Sequence, residues 1–437
     1  MSTIPLGTQF IGLASTVNTV ERRSSLINNE SAPYTMQDII DTVGGRLEGT
    51  QYVFVAADGT DVQNAAELQA AYVTAQSMSP SATNRITVIA APGSYNFSTV
   101  NFIMNTEYID LVSLDGNKSI VFNGSNTIEI TANDVFVRGV DVGTLNFTIA
   151  NSLNLLRVEN CSGGYSSFGG ANTASGTFTS CSGGYASFGG DGGTADGTFT
   201  NCTGGENSFG GGGGTASGVF NNCTGGDYSF GGDGGTADGT FTDCTGGNFS
   251  FGGDSGTASG TFTDCTGGDE SFGGNGGTAS GTFTNCTGTD NSFGAGGTAN
   301  GTFNSCTGGD ASFGGGSGDA SGTFTDCTGG GGSFGGDGGI ASGVFNSCIG
   351  GDYSFGAGDT ASGTFTNCTG WTESFGGSGT ANGTFNSCIG SNGSFGDGGT
   401  LSGFLYYCRL TGGTFETVSG SGRTVLCIDG NNDQNNQ

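Results

Sequence analysis

The chain of 437 residues carries 14 cysteines and no histidine, so its most reactive side chains are thiols. Thirteen of them lie between Cys161 and Cys408 at a near-constant spacing, as in Cys181, Cys202 and Cys223, and each is followed at a fixed interval by a phenylalanine, as in Phe188, Phe209 and Phe230. Thiols in such an array could bridge, hold a metal or pack as small apolar groups. Zinc and iron–sulfur centres draw on closely spaced cysteines or on histidine, and the chain has neither a C-x-x-C pair nor a histidine. If each interval is one turn of a stacked chain, neighbouring cysteines stand about 4.8 Å apart with parallel Cβ vectors, beyond the ~3.8 Å between Cβ atoms typical of a disulfide. The expectation is a structural core file of unbridged thiols, Cys181, Cys202, Cys223, Cys244, Cys265 and Cys286 among them, packed as small hydrophobes. Reduced thiols fit a reducing compartment of synthesis.

Two further groups recur with the same period. Asp191, Asp233, Asp254 and Asp337 sit in a glycine-rich run, and Asp227, Asp269, Asp310 and Asp352 follow a C-T-G-G or related sequence. Stacked, they form files of like charge that Ca2+ could relieve, but the calcium-binding nonapeptide has a period of nine and places Asp where this chain has Thr. A solvated acidic face without cofactor is the expectation. The second group is a T-x-T pair, as in Thr198 and Thr200, Thr240 and Thr242, Thr261 and Thr263. Stacked, these make a two-column outward face that could bind a surface; it resembles that of ice-binding solenoids, although Val219, Asn221, Val344 and Asn346 interrupt it.

These residues need an element that repeats them in register. The repeat reads approximately T-A-S-G-T-F-T-N-C-T-G-G-D-x-S-F-G-G-D-G-G, and a period of about 20 residues signals a solenoid whose coils must stack to bury an apolar face. Glycine, threonine and serine in abundance without a helical apolar pattern exclude helical repeats. Parallel β coils remain. Ala195, Gly197 and Phe199 share one parity and point inward, while Thr198 and Thr200 point out. Cys202 has the opposite parity, so a bend at Asn201 must bring it to the core. Two phenylalanine files follow, Phe178, Phe199 and Phe220 in one and Phe188, Phe209 and Phe230 in the other. All length variation falls in the glycine run, which is therefore the loop. Thirteen coils at about 4.8 Å give a stiff rod on the order of 60 Å long.

The fold class expected is all-β, a single-stranded parallel β-helix with coils of about 20–21 residues. Residues 1–50 read as a partly extended attachment region with one short helix, residues 51–84 as a capping segment, 85–160 as irregular β coils, 161–408 as the regular solenoid and 409–437 as a C-terminal cap with a tail lacking order. In the capping segment Ala65, Leu68, Ala71 and Tyr72 recur at helical spacing over 62–77. The order Asp58-Gly59-Thr60, a helix, then Ile86-Thr87-Val88-Ile89-Ala90-Ala91-Pro92-Gly93-Ser94-Tyr95 resembles the start of the pectin-lyase-like right-handed parallel β-helix, the scaffold of many phage tailspikes and tail fibres. The resemblance covers about residues 50–160, and the Cys/Phe array lies outside it.

The resemblance implies a virion structural protein, with polysaccharide cleavage by clustered carboxylates in some relatives. The candidate cluster here is Arg138 and Arg157, expected to stack when Val135–Val142 is aligned with Asn154–Cys161, with Asp134, Asp141 and Glu159 nearby. An outward ion-pair ladder is the plainer reading, and no long loop walls a cleft. Composition narrows the partners: the net charge is -29 and no Lys or Arg occurs between Arg157 and Arg409. Nucleic acid and anionic membrane are therefore excluded as partners. Membrane insertion needs an unbroken apolar run of at least about 18 residues, and none is present. The function expected is a non-enzymatic structural rod of a virion, a tail-fibre or spike component for host attachment. Its partners would be other virion proteins through the N-terminal region, further copies of itself and a cell-surface glycan or receptor. A bacterial surface adhesin or filament subunit, a polysaccharide-degrading tailspike and an ice-binding solenoid are the alternatives.

Overall fold

The structure, a computed structural model, describes residues 10–12 and 51–435 except 99–100, 126–127, 144–145, 151–152, 154, 397–398, 416–421, 430 and 432–433. The expected attachment region, with its short helix, lies outside the described residues apart from Phe10–Gly12. The chain is a parallel β-solenoid organised as two compact units, Met1–Gly189 with Gly197–Gly204 and Gly190–Asp196 with Gly205–Gln437.

In the first unit the three turns that start at Ile86, Ile109 and Phe136 pass through three parallel sheets. The longest runs through Phe10–Gly12, Gln51–Val55, Ile86–Ala90, Ile109–Ser113, Phe136–Arg138, Arg157–Glu159, Thr177–Thr179 and Thr198–Thr200. Gly93–Asn96, Ile120–Asn123 and Val140–Asp141 form the second, and Phe102–Met104, Ile128–Ile130 and Phe147–Ile149 the third. Because side chains alternate along a strand, one parity is held inside. Val53, Val88, Leu111, Val137, Val158, Phe178 and Phe199 pair in register as a single inward column, none more than 1% exposed. The column is aliphatic for five positions and aromatic afterwards.

Between Gln51–Val55 and Ile86–Ala90 the chain inserts α1 (Asp61–Ser77). A capping box starts it: Thr60 Oγ1 accepts the Gln63 N–H, and Gln63 Oε1 accepts the Thr60 N–H at 2.9 Å. Its buried stripe includes Ala65, Leu68, Ala71, Tyr72 and Ala75. The Tyr72 ring meets Phe102 edge-on at 5.5 Å, and its hydroxyl oxygen accepts the Thr106 N–H at 3.0 Å.

In the second unit the turns are alike. One sheet stacks the short strands from Val219–Asn221 to Arg423–Val425, a second the still shorter strands from Thr194–Ala195 to Thr400–Leu401, and a third joins Ile389–Gly390, Arg409–Leu410, Cys427–Ile428 and Gln434–Asn435. Phe241 lies on Phe262 and Phe262 on Phe283, ring centroids 4.8 Å apart and planes 2° from parallel. Phe251 and Phe272 repeat that spacing in the second file and meet the first edge-on at 5.5–5.9 Å. Such ring pairs add about 0.5–1.5 kcal/mol each to the burial of the ring. The bend expected at the residue before each cysteine is a left-handed backbone corner, with φ of 53° at Asp243, 54° at Asp264 and 54° at Asn285, a conformation that Asn and Asp tolerate best. The second-file phenylalanines share it, Phe251 and Phe272 at 54°. For a bulky residue this costs roughly 1–2 kcal/mol, which burial of the ring, about 1.5–3 kcal/mol, offsets. At the far end Cys427–Ile428 pair antiparallel with Gln434–Asn435, so part of the tail expected to lack order is bonded as a strand.

Candidate binding face and the carboxylate–arginine cluster

The outward face stands on the same strands that bury the first phenylalanine file. In the first unit Thr177 pairs with Thr198 and Thr179 with Thr200. In the second, Thr240, Thr261 and Thr282 form one column and Thr242, Thr263 and Thr284 the other. Thr198, Thr240 and Thr261 are exposed, whereas Thr200, Thr242 and Thr263 are half-buried. Both columns repeat at the 4.8 Å step of the rings beneath them. Val219 and Val344 break the exposed column, as the sequence indicates.

Beneath this face no disulfide joins any of the 14 cysteines, and every one is buried. Cys181 and Cys202 each donate to the carbonyl two positions earlier, at 3.4 and 3.5 Å, and to one on the preceding turn at 3.4 Å. Cys223, Cys244, Cys265 and Cys286 make the same short-range bond at 3.3–3.4 Å. Burial pushes the Cys161 thiol up to about 12. The Cys388 thiol is also pushed up, by burial first and then by Cys368 and Cys408 on either side.

The acidic positions after the C-T-G-G sequence, Asp227, Asp269, Asp310 and Asp352, are exposed, as expected of a solvated face. They also form rungs between turns: Asp227 Oδ1 accepts the Asn248 N–H at 2.8 Å, and Asn248 Oδ1 accepts the Asp269 N–H at 3.0 Å. Asp290, Asp310 and Asp352 bond the next turn's backbone at 2.7–2.9 Å. Asp269 takes the Thr289 hydroxyl. A carboxylate accepting a backbone N–H in this way joins turns and stabilises its own charge. Among the described residues no group of three or more His, Cys, Asp or Glu is placed to hold a metal ion.

The carboxylate–arginine cluster corrects the expected register. Arg157 pairs with Phe136 and Glu159 with Arg138, two positions away from the expected alignment, so the two arginines do not stack on each other. Arg138 Nε lies 3.7 Å from Glu159, and the Arg157 guanidinium stands 5.3 Å over the Phe136 ring. Asp134 instead serves Arg85: Arg85 Nη1 donates to Asp134 Oδ1 at 2.7 Å, while Nε and Nη2 grip both oxygens of Asp110 at 2.7 and 3.0 Å. Asp110 also accepts the Phe136 N–H at 2.8 Å. Burial raises the Asp110 carboxyl above its ordinary range, opposed by its bonds to Arg85. Asp141 accepts from Ser162 Oγ at 2.6 Å and the Gly143 N–H at 2.8 Å. The adjoining open depression, about 400 Å³, is lined by Ala82, Arg85, Asp134, Leu155, Arg157 and Thr177, with one carboxylate, already paired. Acid–base cleavage of a glycosidic bond needs two.

No family model matches this chain. No curated protein and no solved structure matches it either. Among the described residues no helix is long and apolar enough to cross a membrane.

Sequence reasoning missed Arg85 with Asp110, partners far apart in the chain with no local signal to join them. It also missed the serine before each second-file phenylalanine. Ser250, Ser271 and Ser292 are fully buried, and each Oγ donates to a glycine carbonyl one turn back at 3.4 Å. The recurrence of this serine at the period of the repeat, from Ser167 to Ser394, was the available signal.

Proposed function

We propose that the chain is a non-enzymatic structural element of a virion, a tail-fibre or spike component of the tailspike type of right-handed β-helix, holding a surface out for host attachment. The observation that carries this reading is the unbroken stacking of near-identical turns, in which every inward position is filled and the outward T-x-T strands repeat in register. Such a body supplies stiffness and a periodic face, with no loop among the described residues to enclose a substrate. The engagement of Asp110, Asp134, Asp141 and Glu159 by donors of the same unit supports a non-catalytic role. In this reading residues 1–50 attach to other virion proteins, copies associate with one another, and a cell-surface glycan or receptor is the external partner.

A bacterial surface filament or adhesin would use the same stacking, and antibody labelling separates the two. Antibodies raised against residues 205–396 should mark virion tails in electron micrographs; label confined to cell envelopes would overturn the virion assignment. The paired threonine columns at 4.8 Å, one exposed and one half-buried, favour one further reading, ice binding, which thermal hysteresis by the purified protein would reveal. Depolymerisation of a host polysaccharide would instead establish the degrading-tailspike alternative.

A further inference from the structure

The thiol column has a geometry that its packing role does not require. In the second unit the same Sγ position recurs in every turn: Cys244, Cys265, Cys286 and Cys327 donate to the carbonyls of Thr242, Thr263, Thr284 and Thr325 at 3.3–3.4 Å. The turns advance by 4.8 Å, the spacing of the rings beside them. Successive sulfurs therefore follow one another at that same step, and Cys265 lies within reach of both Cys244 and Cys286. An S–S bond is about 2.05 Å long, so neighbours cannot bridge without moving a turn. A metal–thiolate bond is about 2.3 Å, and an ion midway between two such sulfurs lies at nearly that distance from each.

We propose that adjacent cysteines of this column form linear two-sulfur sites for soft d10 cations, Hg(II) being the best-matched charge. The step is an exchange: one Hg2+ replaces the protons of two neighbouring thiols, two Hg–S bonds form, two S–H bonds break, and two H+ leave to solvent. The product R–S–Hg–S–R is neutral, which a buried apolar column accepts far more readily than an ion. Soft thiolates suit such cations. Zn2+ is disfavoured, because it takes four ligands at tetrahedral angles and the column offers two sulfurs in line. The same geometry explains why no three-ligand group is found among the described residues. Each sulfur bonds one ion, so alternate gaps fill and the limit is one ion per two cysteines. The thiols are at most 1% exposed, so entry awaits local opening of a turn.

The test uses the reduced full-length protein, incubated anaerobically with Hg(II) chloride below its melting temperature. Expected are saturation at one ion per two cysteines, two protons released per ion, two sulfurs per mercury by X-ray absorption, and an unchanged β-sheet circular dichroism spectrum with a raised melting temperature. Zn(II) at the same concentration leaves the protein unmetallated. No uptake by the folded protein, uptake that abolishes the β-sheet signal, or three or four sulfurs per ion would each overturn the proposal. A double variant, Cys244→Ala with Cys286→Ala, leaves Cys265 between two alanines, and there it stays unmetallated and alkylable after denaturation. Metallation of that isolated thiol also overturns the proposal. If the variant fails to fold, the sulfur count on the unaltered protein decides.

Discussion

The irregular turns of the first unit and the uniform turns of the second solve one problem by different means. The turn from Leu111 to Val137 is longer than the one from Ile86 to Ile109, and the strands of the Ile86–Ala90 and Ile109–Ser113 turns are long, with an aliphatic inner column. Register there rests on contacts that occur once, such as Arg85 with Asp110 and Asp134 or Arg138 with Glu159. From Thr240 to Thr261 and on to Thr282 the turns are equal in length, the strands are short, and register rests on identity: ring on ring, thiol by thiol, side-chain oxygen on the next backbone N–H. The difference teaches that short strands suffice when every inward and corner position repeats, whereas unlike turns need long strands and specific ion pairs.

That contrast can be broken or sharpened by substitution. The largest effect is expected for Phe262→Ala, which empties a position between two stacked rings and should cost about 3–5 kcal/mol in urea unfolding. If it costs less than a conservative aliphatic truncation such as Val137→Ala, the rings are not what holds the uniform turns. Next, Arg85→Ala strands the buried Asp110 carboxylate and should cost about 3 kcal/mol; a change near zero would show that the irregular turns do not depend on their ion pair. Asn285→Val tests the left-handed corner, with an expected loss of about 1–2 kcal/mol.

Alkaline pH probes the thiol column. The unfolded Cys161 thiol titrates near 9.0 and the folded one near 12, so above pH 9.0 the unfolded chain holds fewer protons. This contribution is fully present below pH 9.0 and is lost as pH rises toward 12, at about 1.4 kcal/mol per pH unit. Comparing the wild type with Cys161→Ala over that range isolates it, and parallel pH profiles for the two proteins would refute burial as the cause. The smallest effect is expected for Thr261→Ala on the exposed column, within about 0.5 kcal/mol; a larger loss would mean that the outward face is structural.

Most of the uniform turns were legible because their period and parity are explicit. The inward Phe199, the corner at Asn201 and the buried Cys202 follow from side-chain alternation plus one bend. The register around Arg138 was not, for a definite reason. The expected and observed alignments differ by an even step, so both keep every side chain on the same face and both put an aliphatic residue, Leu156 or Val158, against Val137. Hydrophobic pattern is blind to that slip, whereas charge is not: the observed register sets Arg138 against Glu159 instead of Arg157, and like charges directly opposite are unfavourable. The acidic rungs were hidden because composition reports a charge without its hydrogen-bond partner. The left-handed Phe251 was hidden because no local preference points a phenylalanine there.

The interchangeability of the turns has a genetic reading. Excising Thr240–Gly260 would join Gly239 to Thr261, and Val219–Asn221 would then meet Thr261–Thr263 as it now meets Thr240–Thr242. Unequal recombination within such a gene lengthens or shortens its product in whole multiples of one period, leaving the contacts on either side of the seam unaltered. Copy number is thus a nearly neutral variable, open to selection for reach.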